Sequence, residues 1–120
     1  MIQKLEINGV HMSVGDDLKK HVGKKIGKLD RYIPKHARPS AHFQIKLKEG
    51  KTKGKSERTC EVVVHLPHDV LTVSETTTNI YASVDIVEEK LKTILHKYKE
   101  KHAIPKFHRR LFAKIYQQEA

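Results

Sequence analysis

Nine histidines and one cysteine are the side chains of this 120-residue chain with the chemistry to hold a metal or attack a substrate. His65-Leu66-Pro67-His68 has tight ligand spacing. Pro67, however, breaks any helix that would carry both rings, and no third ligand is near in sequence. A lone cysteine excludes an internal disulfide and any multi-cysteine zinc centre. Cys60 shares the alternation phase of Val62 and Val64, which marks a buried, inert thiol and not a nucleophile. Gly23 and Gly27 lack the flanking pattern of a phosphate-cradling loop; inside a helix they would let it approach a neighbour closely. The acids are scattered, with no pair placed for acid–base work. The expectation is a protein that is not an enzyme, with no catalytic residue, no metal and no cofactor.

The chemistry the sequence does carry is cationic. Lys and Arg number 24 against 14 Asp and Glu, a formal charge of +10, with a pI near 9.7. Residues 15–38 hold Lys19, Lys20, Lys24, Lys25, Lys28, Arg31, Lys35 and Arg38 against Asp16, Asp17 and Asp30. Residues 101–120 hold Lys101, Lys106, Arg109, Arg110 and Lys114 against Glu119. No apolar run exceeds three residues, so neither a membrane span nor a signal-peptide core is expected. The sequence reads as a soluble, cytoplasmic protein whose partner is a polyanion and not a membrane.

Those charges need elements to position them. Residues 2–8 read as a strand ending in a turn at Asn8-Gly9. From Asp16, Leu18, Val22, Ile26, Leu29 and Ile33 fall at helical spacing until Pro34 and Pro39 stop the run. Residues 41–48 alternate, with Phe43, Ile45 and Leu47 on one face and His42, Gln44, Lys46 and Lys48 on the other. Glu49–Lys55 reads as a polar hairpin loop, and residues 57–66 resume the alternation. Pro67-His68-Asp69 turns the chain into a fourth strand, Val70–Glu75. A second helix starts at Thr78 or Asn79 and carries Ile80, Val84, Val87, Leu91, Ile94, Leu95 and Tyr98 on one side. The expected fold is α+β, a β-α-β-β-β-α two-layer sandwich. Its four-stranded sheet carries both helices on one face, the layout of double-stranded-RNA-binding domains. The core between the layers should hold Val22, Ile26, Leu29, Val84, Leu91 and Leu95.

At about 100° per residue, the apolar positions of the first helix span a sector of roughly 80°. Lys20, Lys24, Lys28, Arg31 and Lys35 fill a second sector nearly opposite. A merely solvated helix mixes both signs on its polar face; this one carries a single sign over four expected turns. On the second helix, Lys90, Lys97 and Lys101 line one flank of the apolar stripe, and Lys92 and Lys99 the other. Such a surface neutralises phosphates and positions a partner without reading its sequence. Motifs of major-groove DNA readers are missing, and the one strand aromatic, Phe43, is in phase with the core. Structured RNA read by shape fits best.

The same residues resemble a known family. Met12–Val22 running into Lys25–Tyr32, and Asn79–Val87 followed by Lys90-Leu91 and His96–Lys99, resemble the ribosome hibernation-promoting factor / ribosome-associated inhibitor family, also called sigma-54 modulation or S30AE-type. The resemblance covers about residues 1–102. It implies a stress or stationary-phase factor on the small (30S) ribosomal subunit and the 70S ribosome. There it would occupy the mRNA channel and the A- and P-site tRNA positions against 16S rRNA and so block translation. Matching positions are Lys25, Lys28 and Arg31 in the first helix and Lys90, Lys97 and Lys101 in the second. Where the family often has Glu-Arg-Gln in that helix, this chain has Lys92-Thr93-Ile94. A usual basic contact is thus absent at Thr93, and Lys92 is the candidate replacement. The lysine-rich hairpin Lys51–Lys55 is an extra basic loop, and the chain stops too early for the C-terminal dimerisation domain of long members, as expected of a short form.

The expected rRNA-binding set is therefore Lys20, Lys24, Lys25, Lys28, Arg31, Lys35, Lys90, Lys97, Lys99 and Lys101, with further tail contacts from Arg109, Arg110 and Lys114. The domain is expected over residues 1–104, bounded at Ile104-Pro105, with a basic amphipathic tail over 105–120. Two readings of that tail stand side by side: a short helix docked on the domain, or a segment that orders on rRNA, a membrane surface or a protein. The free protein is expected to be a monomer, since it has no surplus apolar helix face and its charge repels copies of itself. The competing function is a general double-stranded RNA- or DNA-binding module with no preference for ribosomes.

Overall fold

Strand alternation decides which face of the sheet becomes the core. In the computed structural model, which describes residues 4–102, Phe43, Ile45, Leu47, Cys60, Val62 and Val64 are fully buried while Gln44, Lys46, Val63 and His65 lie on the open face. The elements are β1 (Lys4–Val10), α1 (Asp16–Ile26), β2 (His42–Thr52), β3 (Lys55–Leu66), β4 (Asp69–Thr77) and α2 (Ile80–His102). They form one four-stranded sheet in the order β1-β2-β3-β4. β1 runs parallel to β2, from Lys4↔His42 to Val10↔Lys48, and the other pairs are antiparallel. A parallel neighbour requires a crossover, and α1 supplies it. Both helices close one sheet face: Val22, Ile26, Leu29, Val84, Leu91 and Leu95 are fully buried in a single cluster with the strand side chains. The expected two-layer α+β fold is what forms. Ile2, the Ile104-Pro105 boundary and the tail residues Arg109, Arg110 and Lys114 lie outside the described residues.

Local chemistry explains the differences from the sequence reading. The α-helix does not reach Ile33; it ends at Ile26 and tightens into a 3-10 segment, Gly27–Tyr32. Three residues per turn eclipse positions i and i+3, which keeps Leu29 under Ile26 without α geometry. Pro34 then holds Ile33 extended, at φ −102° and ψ 136°. Asn8-Gly9 is not a turn but part of β1; the chain reverses at His11, whose φ is 60°. Gly9 is needed for a close approach, because a Cβ there would lie 2.3 Å from the Met12 carbonyl oxygen. Gly23, by contrast, faces open space, so it does not serve close helix packing. The hairpin loop shrinks to Lys53-Gly54, with φ 54° and 77°, and both strands extend to meet it.

The start of α2 is fixed from two sides. Asn79 Oδ1 accepts the Tyr81 backbone N–H at 2.9 Å, an N-cap one residue before the helix. Buried Ser83 donates its hydroxyl to the Arg58 carbonyl at 2.7 Å and so ties the first turn to β3. At the far end the Tyr98 hydroxyl donates to the Pro67 carbonyl at 3.1 Å. The helix therefore lies along β3 from Arg58 to the β3–β4 turn.

Candidate nucleic-acid interface

The outer face of α1 and its 3-10 extension carries Lys20, Lys24, Lys28, Arg31 and Lys35, all exposed. The 3-10 geometry eclipses Lys28 and Arg31, so the cationic row continues where the α-helix has ended. Arg31 lies 5.2 Å from the centre of its neighbour's ring, Tyr32. Arg38, part of the same basic stretch in sequence, serves the fold instead. Its Nε donates to the carbonyls of Asp30 at 2.9 Å and Ile33 at 3.0 Å, fastening the end of the segment. Among the described residues no carboxylate pairs with Lys20, Lys24, Arg31 or Lys35.

The cations of α2 divide between its two flanks. Lys90 reaches β4, where its Nζ donates to Glu75 and, at 3.2 Å, to the Ser74 carbonyl. Lys101 lies 3.7 Å from Asp69 at the start of β4. Lys97 shares with them a shallow cleft of about 210 Å³ floored by Leu71, Ile94 and Tyr98. This flank faces β4, away from α1, so the two helices do not join Lys90, Lys97 and Lys101 to the α1 row in one continuous strip. Lys99 is exposed on the other flank. Lys92, on that flank too, bonds to Glu89 at 3.1 Å, and this bond raises its pKa above the ordinary lysine value.

Between the helices the sign reverses, and sequence reasoning missed it. Asp85 and Glu88 of α2 point at α1. Asp85 Oδ1 is 2.9 Å from His21 Nε2 and 3.9 Å from Lys25 Nζ. Glu88, 4% exposed, lies 3.9 Å from Lys25 and 3.5 Å from Lys28, and its buried Oε2 has no hydrogen-bond partner among the described residues. His21 also meets the Tyr81 ring edge-on at 4.9 Å. The signal was available: Tyr81, Asp85, Glu88 and Lys92 fall on one flank at 100° per residue. What the periodicity does not say is which flank faces the other helix.

The remaining candidate groups sit apart from these surfaces. His65 bonds to Gln44 on the open sheet face at 2.9 Å, and His68 occupies the β3–β4 turn at φ 67°. Among the described residues no three His, Cys, Asp or Glu side chains gather as a metal would require. Cys60 is buried in the sheet core, and that burial, with Glu61 beside it, pushes its thiol up to about 12. No helix of the described residues is long and apolar enough to cross a membrane.

The order of elements, the sheet and the basic helix layer now stand beside a direct comparison. Residues 5–103 match the family described as sigma 54 modulation protein / S30EA ribosomal protein. This chain belongs to that family. A ribosome hibernation promotion factor from Staphylococcus aureus (strain COL) is 30% identical over 96 residues, covering 80% of this chain and 48% of that protein. Another from Lactococcus lactis subsp. cremoris (strain MG1363) is 34% identical over 98 residues, covering 80% of this chain and 49% of its own length. The chain thus spans about half the length of these relatives. Among solved structures, a ribosomal subunit interface protein from Coxiella burnetii superposes with a TM-score of 0.66 at 23% identity, covering 82% of this chain and 99% of that one. The N-terminal domain of Thermus thermophilus Protein Y gives 0.59 at 22% identity, covering 78% and 94%. Those two likenesses concern the fold. The S30AE-type membership expected from the two helices is established by the family match.

Proposed function

We propose that this chain is a ribosome hibernation factor that binds the small (30S) subunit, alone and in the 70S ribosome. It covers the mRNA channel and the A- and P-site tRNA positions against 16S rRNA, and so silences idle ribosomes under stress or in stationary phase. It works by occupying space, with no chemical step, as a free monomer in the cytoplasm. The observation that carries this reading is the α1 face. Lys20, Lys24, Arg31 and Lys35 project one sign of charge, and no carboxylate among the described residues neutralises them. Such cations are free to replace the counterions of RNA phosphates. The names of the family and of its relatives identify the ribosome as the RNA in question.

Sedimentation through sucrose gradients tests it directly. The protein should migrate with small subunits and 70S ribosomes at low salt, leave them as salt rises, and inhibit translation in vitro. A protein that stays at the top of the gradient, or that an excess of plain RNA duplex strips from subunits completely, would be a general RNA-binding module instead. A salt-independent dimer in light scattering at low micromolar concentration would contradict the monomer.

A further inference from the structure

The β2–β3 hairpin outgrows the sheet. β1 pairs with β2 only as far as Val10↔Lys48, and β4 pairs with β3 only from Arg58↔Thr77. Beyond those rungs Glu49↔Arg58, Gly50↔Glu57, Lys51↔Ser56 and Thr52↔Lys55 continue as a ribbon of two strands alone. Four rungs add about 14 Å. The ribbon closes on Lys53-Gly54, both in the left-handed region that a two-residue hairpin turn requires. Glu49 pairs with Arg58 at 3.0 Å across its root, and residues 49–56 are all exposed. No side chain from Glu49 to Glu57 is a large apolar one, and Lys51, Lys53 and Lys55 crowd its tip.

Composition says what kind of partner this surface fits. Protein interfaces are built around buried aromatic or Arg anchors and are depleted of lysine. The ribbon offers three lysines and no anchor. Lysines act as mobile point charges, suited to phosphate oxygens and unsuited to forked recognition of a base edge. Position says how far the contact lies from the helix cations. Ser83 ties the start of α2 to Arg58 at the ribbon's root, and Tyr98 and Lys101 meet Pro67 and Asp69 at the other end of β3. At 3.4 Å per residue, β3 alone carries Lys55 about 37 Å from Leu66.

We infer that the β2–β3 ribbon is a second RNA-contacting surface, which grips the phosphates of a strand segment distinct from those held by the C-terminal half of α2. That the RNA is ribosomal rests on the function proposed above; that the ribbon binds RNA does not.

The test compares the parent protein with two full-length variants. One is Lys51→Gln/Lys53→Gln/Lys55→Gln. The control is Lys4→Gln/Lys46→Gln/Lys48→Gln, which removes equal charge from the opposite, open face of the sheet. Affinity for small subunits and for extracted 16S rRNA is measured against salt. The ribbon variant should bind about tenfold more weakly, with the log–log salt slope shallower by about two, and the control should change far less. Equal losses in both variants, or an unchanged slope for the ribbon variant, would overturn the inference. Circular dichroism and melting should match the parent, since the three ribbon lysines pair with no carboxylate among the described residues. A parent that ignores subunits but binds the extracted rRNA would sink the ribosomal reading, and the same comparison on that rRNA would still decide the ribbon. A hydroxyl-radical source on Lys53→Cys should cut the rRNA at sites separate from those cut from Lys97→Cys. Buried Cys60 does not compete for the label. Identical cutting patterns, or none from Lys53→Cys, would refute a second contact.

Discussion

The outer face of α1 and the β4-facing flank of α2 carry the same kind of side chain at the same kind of helical spacing, yet their cations live differently. On α1, Lys20, Lys24 and Arg31 face water with no carboxylate partner among the described residues. On α2, Lys90 is held by Glu75 and the Ser74 carbonyl, and Lys101 leans on Asp69. The difference comes from what each helix lies beside. α2 packs along β4, whose carboxylates are at hand, whereas the outer face of α1 has no strand to meet. A phosphate approaching α1 need only displace water and counterions; one approaching Lys90 must also break an existing pair. Charge counted along a sequence therefore overstates the second surface relative to the first.

The most disruptive way to probe the comparison removes the layer that holds both surfaces. Leu91 is fully buried between α2 and the sheet. Leu91→Ala should lower unfolding free energy by about 2–5 kcal/mol in urea titrations, and both surfaces should lose RNA binding together. A loss under about 0.5 kcal/mol would mean that α2 does not organise either of them.

The two surfaces should then separate under charge reversal. Lys20→Glu/Lys24→Glu/Arg31→Glu should weaken binding to small subunits on the order of a hundredfold while melting stays near the parent value. None of the three breaks an ion pair, and only the Arg31–Tyr32 contact is lost, worth about 0.5–1 kcal/mol at an exposed site. Lys90→Glu/Lys101→Glu should cost only about tenfold in binding. It should also lower stability by roughly 1 kcal/mol, because Glu75 and Asp69 would then face like charges. Binding lost without stability on α1, and some of both lost on α2, is the signature of the difference. Matching behaviour in the two variants would erase it.

Much of this architecture was legible because burial imposes periodicity. The phase of Phe43, Ile45 and Leu47, the stripe from Val84 to Tyr98 and the core residue Leu29 all follow from one face of each element turning away from water. Asn79 was legible as a cap for the same local reason. Features set by neighbours were not. Nothing in Asn8-Gly9 distinguishes a turn from a strand over which Met12 folds back. Leu29 keeps its place whether the backbone is α or 3-10, so the pattern could not report the change at Gly27. The length of the ribbon escaped because its strands bury no face, leaving only the Lys53-Gly54 turn to set its register. For the candidate site, the α1 row could be read from sequence. The partners of Lys25, Lys28, Lys90 and Lys101 could not, because each is supplied by an element remote in the chain.

The finest probe of the contrast lies in the seam between the helices, where Glu88 faces Lys25 and Lys28. Its carboxylate is almost fully buried, yet the lysines stand 3.9 and 3.5 Å away, beyond hydrogen-bond contact, with side chains 32% and 44% exposed. Removing one partner of a buried ion pair is costly when it strands the other charge away from water. Here the stranded charges would be lysines that already touch solvent. Glu88→Gln also retires the one charge in the seam that is desolvated. Stability should therefore stay within about 1 kcal/mol of the parent, as read from urea midpoints. Binding should move the other way. With the carboxylate gone, Lys28 joins the unpaired row of Lys24 and Arg31, so affinity for small subunits should rise about threefold. The log–log salt slope should steepen by about 0.7–0.9, one phosphate's worth. The gain has to pass through Lys28, so adding Glu88→Gln to a Lys28→Gln protein should yield little. If Glu88→Gln instead loses more than about 2 kcal/mol of stability and gains no affinity, the carboxylate is a strut of the helix pair. In that case Lys28 was never withheld from RNA, and the seam divides nothing.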